Sequence, residues 1–267
     1  MRKILLFLSL VFSANAISTQ VDYLIINGKV FDGSLLNPTF SDVAIQGNMI
    51  VGIGKNLAEK YQATKVIDAE GLLVTPGFID PHTHSFDDLN SEARSNNINY
   101  LTQGVTTVFN GNDGRGSVNI NEIEASLKVH GIGTNTGFFV GHGTVRQQVM
   151  GKANRQASSD EIETMKSLVK SAMQQGAFGL SSGLYYVPGN YANTDELVQL
   201  AMEVKPFNGL YESHIRDESS YNIGLIAAVK EAIEIGEKGG IPAHLSHLKA
   251  LGVDVWGQST QIIEIIN

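Results

Sequence analysis

Cysteine is absent from all 267 residues, which excludes disulfides, iron–sulfur clusters, thiolate metal sites and a cysteine nucleophile. Basic side chains are the scarcer sign, 19 Lys and Arg against 27 Asp and Glu. The formal net charge of -8 therefore argues against a nucleic-acid backbone or an anionic membrane surface as the main partner. Long apolar runs are also lacking: residues 4–12 form the longest, about half of the roughly 20 that a membrane-spanning helix needs. That run follows Met1-Arg2-Lys3 and precedes Ala14-Asn15-Ala16. Residues 1–16 thus read as a secretory signal peptide, with cleavage after Ala16 and export to a bacterial periplasm. No lipid anchor is expected, because lipoprotein processing needs a cysteine at the cleavage point, and no membrane contact is expected after cleavage. What is present, 42% hydrophobic and 17% charged residues with 28 glycines, suits a globular protein with a sizeable core.

Two textures follow the signal. Over residues 17–75, short β-branched runs such as Tyr23-Leu24-Ile25-Ile26 and Met49-Ile50-Val51-Gly52-Ile53 alternate with turn residues. Asn27-Gly28 between two apolar runs is a strong hairpin signal, and this part is expected to be a small antiparallel sheet unit. From residue 76 to 267, apolar strand-like runs alternate with helix-period segments, which argues for βα units around a parallel sheet. Strands are expected at 77–80, 106–109, 136–140, 178–180, 210–212 and 241–245. The clearest helices are expected at 160–175, with an N-cap in Ser158-Ser159, at 194–204 and at 223–237.

Polar or histidine positions just past these strands fall at 82, 113, 142, 182, 214 and 247, close to one βα repeat apart each time. A barrel gathers the carboxyl ends of its strands on one face, so these residues would converge there. An open doubly wound sheet is the competing architecture, but no Gly-rich phosphate fingerprint follows the first strand.

His82 and His84 stand one residue apart after Pro76-Gly77-Phe78-Ile79-Asp80. Period two puts both imidazoles on one side of an extended segment, where they can share a metal ion. His214 and His247 close later strands inside Ser-His-x-Arg and Ser-His-x-Lys. Each alone reads equally well as a buried histidine bonded to a carbonyl; four on one rim read as a metal centre. Neutral imidazoles leave divalent charge undercompensated, and Asp113, in Gly111-Asn112-Asp113-Gly114, supplies an anion on a turn that its glycines sharpen. The alternative for Asp113 is a turn with a solvated carboxylate. His130 is expected at a helix end and His244 away from the cluster. Arg216, Asp217 and Glu218 are read as an ion-pair network.

In order along the chain, PGFIDPHTH (76–84), GVTTVFNGNDG (104–114), VGHGTVR (140–146), GAFGLSSGLYYVPG (176–189), YESHIRDE (211–218) and LSHLKA (245–250) resemble the N-acyl-D-amino-acid deacylases, or D-aminoacylases, of the amidohydrolase superfamily. The resemblance implies a distorted (β/α)8 barrel, here about six βα units, beside a small β-sandwich. It implies one or two zinc ions on His82, His84, His214 and His247, with Asp113 standing where the family carries a bridging cysteine. A carboxylate is the harder ligand, so Asp113 is expected to keep the site and reduce its preference for softer metals. The resemblance further implies zinc-dependent hydrolysis of a small N-acyl-D-amino acid to a D-amino acid and a carboxylate, with Tyr186 and Lys249 contacting the amino-acid part. A lysine has a physical reason there, because the substrate carries a free carboxylate. His142, in Gly-His-Gly-Thr, is a candidate for orienting substrate or water and equally for a structural role.

The family places its general acid/base aspartate after the last barrel strand. No residue up to 267 matches it, since Asp254 falls in the loop after the sixth strand. A barrel takes about 250 residues, and the sequence therefore reads as an N-terminal portion. Two alternatives accompany the hydrolase reading: a remnant that binds metal without turnover, and a cyclic-amide hydrolase of the hydantoinase type. The latter usually relies on a carboxylated lysine, which the segment Ser181-Ser182-Gly183 does not offer.

Overall fold

A computed structural model describes residues 18–34 and 37–267, so the expected signal segment 1–16 lies outside the described residues. The chain divides between Pro76 and Gly77 into two compact units. The first holds β1 (Thr19–Ile26), β2 (Lys29–Val30), β3 (Thr39–Phe40), β4 (Asp42–Gln46), β5 (Met49–Gly54), β6 (Tyr61–Asp68) and β7 (Leu73–Val74). These form two small sheets, β5-β4-β1-β6 and β3-β2-β7, with Val21, Leu24, Ala44 and Tyr61 as a buried cluster.

Two expectations for this unit are corrected. The sheets are mixed, because β1 runs antiparallel to β4 and parallel to β6. Asn27-Gly28 does not close a hairpin either: β1 and β2 belong to different sheets. Asn27 adopts the left-handed conformation that such a turn uses, φ 61°, but the chain crosses from one sheet to the other. Gly28 is needed there for close approach, since a Cβ on it would lie 2.5 Å from Val74 Cγ2.

The second unit alternates strands and helices as expected. Its strands are β8 (Phe78–Asp80), β9 (Val105–Asn110), β10 (Asn135–Phe138), β11 (Val140–Gly141), β12 (Gly179–Gly183), β13 (Leu210–His214) and β14 (Ala243–Leu245). Every pairing is parallel and neighbours follow chain order, β8-β9-β10 and β11-β12-β13-β14. One strand is interrupted: residues 135–138 pair with β9, and beyond Phe139 residues 140–141 pair with β12. Six βα units wound in sequence, with parallel strands in chain order, match the barrel arrangement expected from the sequence.

The helices are α1 (Phe86–Leu89), α2 (Ile98–Leu101), α3 (Ile120–Leu127), α4 (His142–Met150), α5 (Ser159–Gln174), α6 (Thr194–Val204), α7 (Leu225–Gly239) and α8 (Ser259–Ile266). α5 begins where Ser158 and Glu161 form a reciprocal capping box. It buries Ile162, Met165, Val169 and Met173, an i, i+3, i+7, i+11 stripe, and each such side chain contributes roughly 1.5–3 kcal/mol. α7 starts two residues later than its periodicity suggests, because Gly224 at φ 85° cannot continue a right-handed helix toward Ile223. Among the described residues no helix is long and apolar enough to cross a membrane.

Candidate metal centre

The cluster forms where the parallel strands end. β8 closes at Asp80, whose Oδ1 accepts the His82 backbone N–H at 3.1 Å. Thr83 turns inward, its N–H and hydroxyl both donating to Phe109 O at 2.9 and 2.8 Å. His82 and His84 consequently share the opposite side, ring centres 5.2 Å apart. After β9, the chain folds through Gly111 (φ 83°), Asp113 (φ 58°) and Gly114 (φ 72°), all left-handed. A Cβ on Gly111 would meet Phe139 O at 2.5 Å, so this turn requires glycine and aims Asp113 inward. His214 ends β13, and His247 follows β14 at φ 34°. Two of the five cluster residues, neither of them glycine, thus hold left-handed backbone, a strain that gathers at functional sites.

Four histidines surround one carboxylate. Asp113 Oδ1 lies 3.6 Å from His82 Nε2, 3.5 Å from His214 Nδ1 and 3.6 Å from His247 Nε2, and Oδ2 lies 3.3 Å from His84 Nε2. Asp113 Oδ1 is buried without a hydrogen-bond partner, as is His214 Nε2. Donors sharing one tetrahedral zinc at 2.0–2.1 Å stand about 3.3–3.4 Å apart. The observed spacings fit that pattern, and an all-nitrogen and oxygen donor set suits zinc. His82, Asp113 and His247 make one compact ligand group, and His214, Glu218 and His247 a second that shares His247.

Two buried carboxylates support the ring, and the sequence reading missed both. His82 Nδ1–H donates to Glu212 Oε1 at 3.0 Å, and Ser246 Oγ donates to the same oxygen. Glu212 is fully buried, and its Oε2 has no partner. Its position two residues before His214 on a strand was the available signal, since period two puts both on one face. Glu218 Oε1 accepts from Lys249 Nζ and lies 3.2 Å from His247 Nδ1 and 3.8 Å from His214 Nε2. The expected ion-pair reading of 216–218 fits Arg216, which makes a buried bidentate pair with Glu231 at 2.8 Å, while Glu218 belongs to the cluster.

Tyr186 is at the site, its hydroxyl 3.5 Å from His214 Nδ1 and its ring centre 4.7 Å from that imidazole. Lys249 is there too, 3.2 Å from His247 Nδ1. His142 is not brought to the cluster. It opens α4 fully buried, with Nε2 2.8 Å from Glu196 Oε1 in a network that includes Arg146. Asp254 lies on a turn and accepts from Ser220 Oγ at 3.2 Å.

Charge follows the geometry. Burial alone would raise the Asp113 carboxyl, but the His214, His82 and His84 imidazoles around it hold it at about 2. Burial works against a charged His82, yet the Glu212 carboxylate, with Asp113 and Asp80, raises its pKa above the ordinary histidine value. His247 goes the other way, lowered by burial and by the neighbouring His214, Lys249 and His82 side chains. A neutral His247 keeps a lone pair for a metal ion, and at His82 the ion competes with a proton.

Comparison with known proteins places this geometry among relatives. A family model described as Amidohydrolase family matches residues 65–252. D-aminoacylase from Alcaligenes xylosoxydans xylosoxydans is 32% identical over 272 residues, covering 93% of this chain and 55% of that protein. A solved D-aminoacylase, studied for the functional role of its binuclear metal center, aligns with a TM-score of 0.83 at 30% identity, covering 92% of this chain and 55% of that one. N-acyl-D-glutamate deacylase from Bordetella bronchiseptica, complexed with zinc and a phosphonate inhibitor mimicking the tetrahedral intermediate, aligns at 0.81 and 28%, covering 93% and 56%. The chain spans about half the length of these relatives.

Proposed function

Because the chain belongs to the amidohydrolase family, we propose that it is a zinc-dependent hydrolase of N-acyl-D-amino acids, splitting the amide with water into a D-amino acid and a carboxylate. The observation that carries this reading is the convergence of His82, His84, His214 and His247 on Asp113, at 3.3–3.6 Å, beyond the ends of parallel strands. The N-acyl-D-amino acid class is supported by the relatives named D-aminoacylase and N-acyl-D-glutamate deacylase.

These five residues are the ones that would hold one or two zinc ions. When bound, zinc supplies Lewis-acid chemistry: polarisation of a carbonyl and acidification of water to a pKa of about 7. The chain's own residues prepare the site. Asp113, ionised across the neutral range, contributes the negative charge that four imidazoles lack. Glu212 fixes the His82 tautomer by taking its Nδ1–H, which leaves Nε2 free toward Asp113. Tyr186 stands at the mouth with its phenol pKa raised by burial and by the Asp113 charge, so it remains a neutral hydrogen-bond donor. Lys249 offers a cation for the amino-acid carboxylate, in exchange with Glu218.

Purified protein loaded with zinc is expected to release D-amino acid from N-acetyl-D-amino acids and not from the L forms. Stoichiometric zinc without turnover would refute the catalytic reading and favour a metal-binding remnant, and no zinc uptake would refute the centre itself. Export is proposed on the basic start and apolar run of residues 1–12. Recovery of mature protein beginning at Ile17 checks it, and an intact Met1 would overturn it.

A further inference from the structure

Two cations stand near the cluster, and they are not equivalent. Lys249 Nζ is already paired with Glu218. Arg115 forms no ion pair among the described residues, and its guanidinium carbon lies 5.2 Å from the centre of the Tyr186 ring. It is exposed, yet the turn that presents it is held on every side. Arg115 N–H donates to Asn112 O at 3.1 Å, and Gly114 N–H donates to Ser181 Oγ at 3.1 Å. Gly114 O and Gly116 O accept from Thr144 and Gly141 backbone N–H at 3.1 and 3.0 Å. The backbone that aims Asp113 into the cluster therefore also fixes the root of Arg115, two residues on.

Arg115 lines a cavity of about 650 Å³ together with His84, Phe86, Asp87 and Phe138. That volume suits a small organic ligand. His84, one wall of the cavity, reaches Asp113 at 3.3 Å, so a molecule in the cavity abuts the cluster. Asp87 is the acidic group on the same wall, and it is not paired with Arg115 among the described residues. The aromatic face of Tyr186 steadies a guanidinium through cation–π attraction while leaving its planar N–H fork free for a carboxylate.

We infer that Arg115, backed by Tyr186, forms a carboxylate subsite in the cavity beside His84, and that it selects substrates by an anionic group there. This rests on the proposed hydrolysis of N-acyl-D-amino acids and assigns a selecting residue to it. The carboxylate has two sources, the α-carboxylate common to all such substrates and the side-chain carboxylate of an acidic one.

Calorimetric binding of D-leucine, D-glutamate and D-leucinamide to the zinc-loaded full chain, wild type against Arg115→Gln, separates them without needing turnover. The expected result is a loss of about 10-fold or more in affinity for a carboxylate ligand, with D-leucinamide unchanged. Equal loss for D-leucine and D-glutamate identifies the α-carboxylate, and loss for D-glutamate alone identifies the side chain. Arg115→Lys keeps the charge without the fork and is expected to restore part of the loss. Unchanged affinities in Arg115→Gln, or no carboxylate binding by the wild type, would overturn the subsite. On N-acetyl-D-amino acids the same variant is expected to raise KM with little change in kcat. Absence of wild-type turnover would refute the proposed reaction, while the binding arm still reports on Arg115.

Discussion

Glu212→Gln tests whether a buried carboxylate sets the geometry of the cluster. Glu212 is fully buried and takes the His82 Nδ1–H at 3.0 Å, with Ser246 donating to the same oxygen. Glutamine keeps the volume and one carbonyl oxygen, so the shape survives and the charge goes. A hydrogen bond to a charged group is worth roughly 1.5–3 kcal/mol against about 0.5–1.5 for a neutral one. Loss of an outer carboxylate on a metal-binding histidine typically costs 10- to 100-fold in affinity, about 1.4–2.7 kcal/mol. Zinc affinity, measured by competition with a chromophoric chelator, is expected to fall in that range. The metal-free protein gives an independent reading. His82 titrates above the ordinary histidine value, because the Glu212 carboxylate, with Asp113 and Asp80, outweighs the opposing burial. The stability it contributes is therefore full below about pH 6.5 and is lost as pH rises through the elevated folded value. In Glu212→Gln the His82 midpoint, followed by NMR of its ring protons, is expected to move down. Unchanged zinc affinity with an unmoved His82 titration would refute the reasoning, since the carboxylate would then hold nothing.

Asp113→Ala is expected to lose zinc and Asp113→Cys to retain it, by elemental analysis after dialysis; full zinc content in Asp113→Ala would show that the histidines suffice. Arg216→Ala leaves Glu231 buried and unpaired and is expected to destabilise by about 3–5 kcal/mol in urea titration, whereas a loss under 1 kcal/mol would place the pair outside the folded core. Ser158→Ala removes one arm of the α5 capping box and is expected to cost about 1 kcal/mol. Glu161, held at about 2 chiefly by Arg155, gives that helix end a stability present above its ordinary carboxylate value and lost as pH falls toward 2, which thermal melts across pH 2–5 would follow.

The parts of the fold carried by local signals were legible. Six apolar runs ending in polar residues became six parallel strands, and Thr194–Val204 is a helix with the expected ends because Asn193 caps it. The histidine cluster was legible for the same reason: strand ends converge in a barrel whatever fills the loops. Long-range facts were not. Asn27-Gly28 carries hairpin chemistry, but β1 finds its parallel partner beyond residue 60, and nothing local announces that. His142 has the spacing of a rim residue, yet it begins α4 and faces Glu196, 54 positions away. Glu212 and Glu218 read as ordinary polar residues until the sheet brings His82, Ser246 and Lys249 against them.

The interrupted third strand gives the cluster a mechanical meaning. His82, His84 and Asp113 follow strands paired on one side of Phe139, and His214 and His247 follow strands paired on the other. β8 and β14 share no ladder, yet the His82 and His247 rings stand 4.7 Å apart. An ion gripping both would act as a tether closing a loop of more than a hundred residues. By chain-entropy reasoning such a tether removes on the order of 5 kcal/mol of freedom from the unfolded chain. The same five side chains would then serve as the rivet that holds the first and last strands of this unit together.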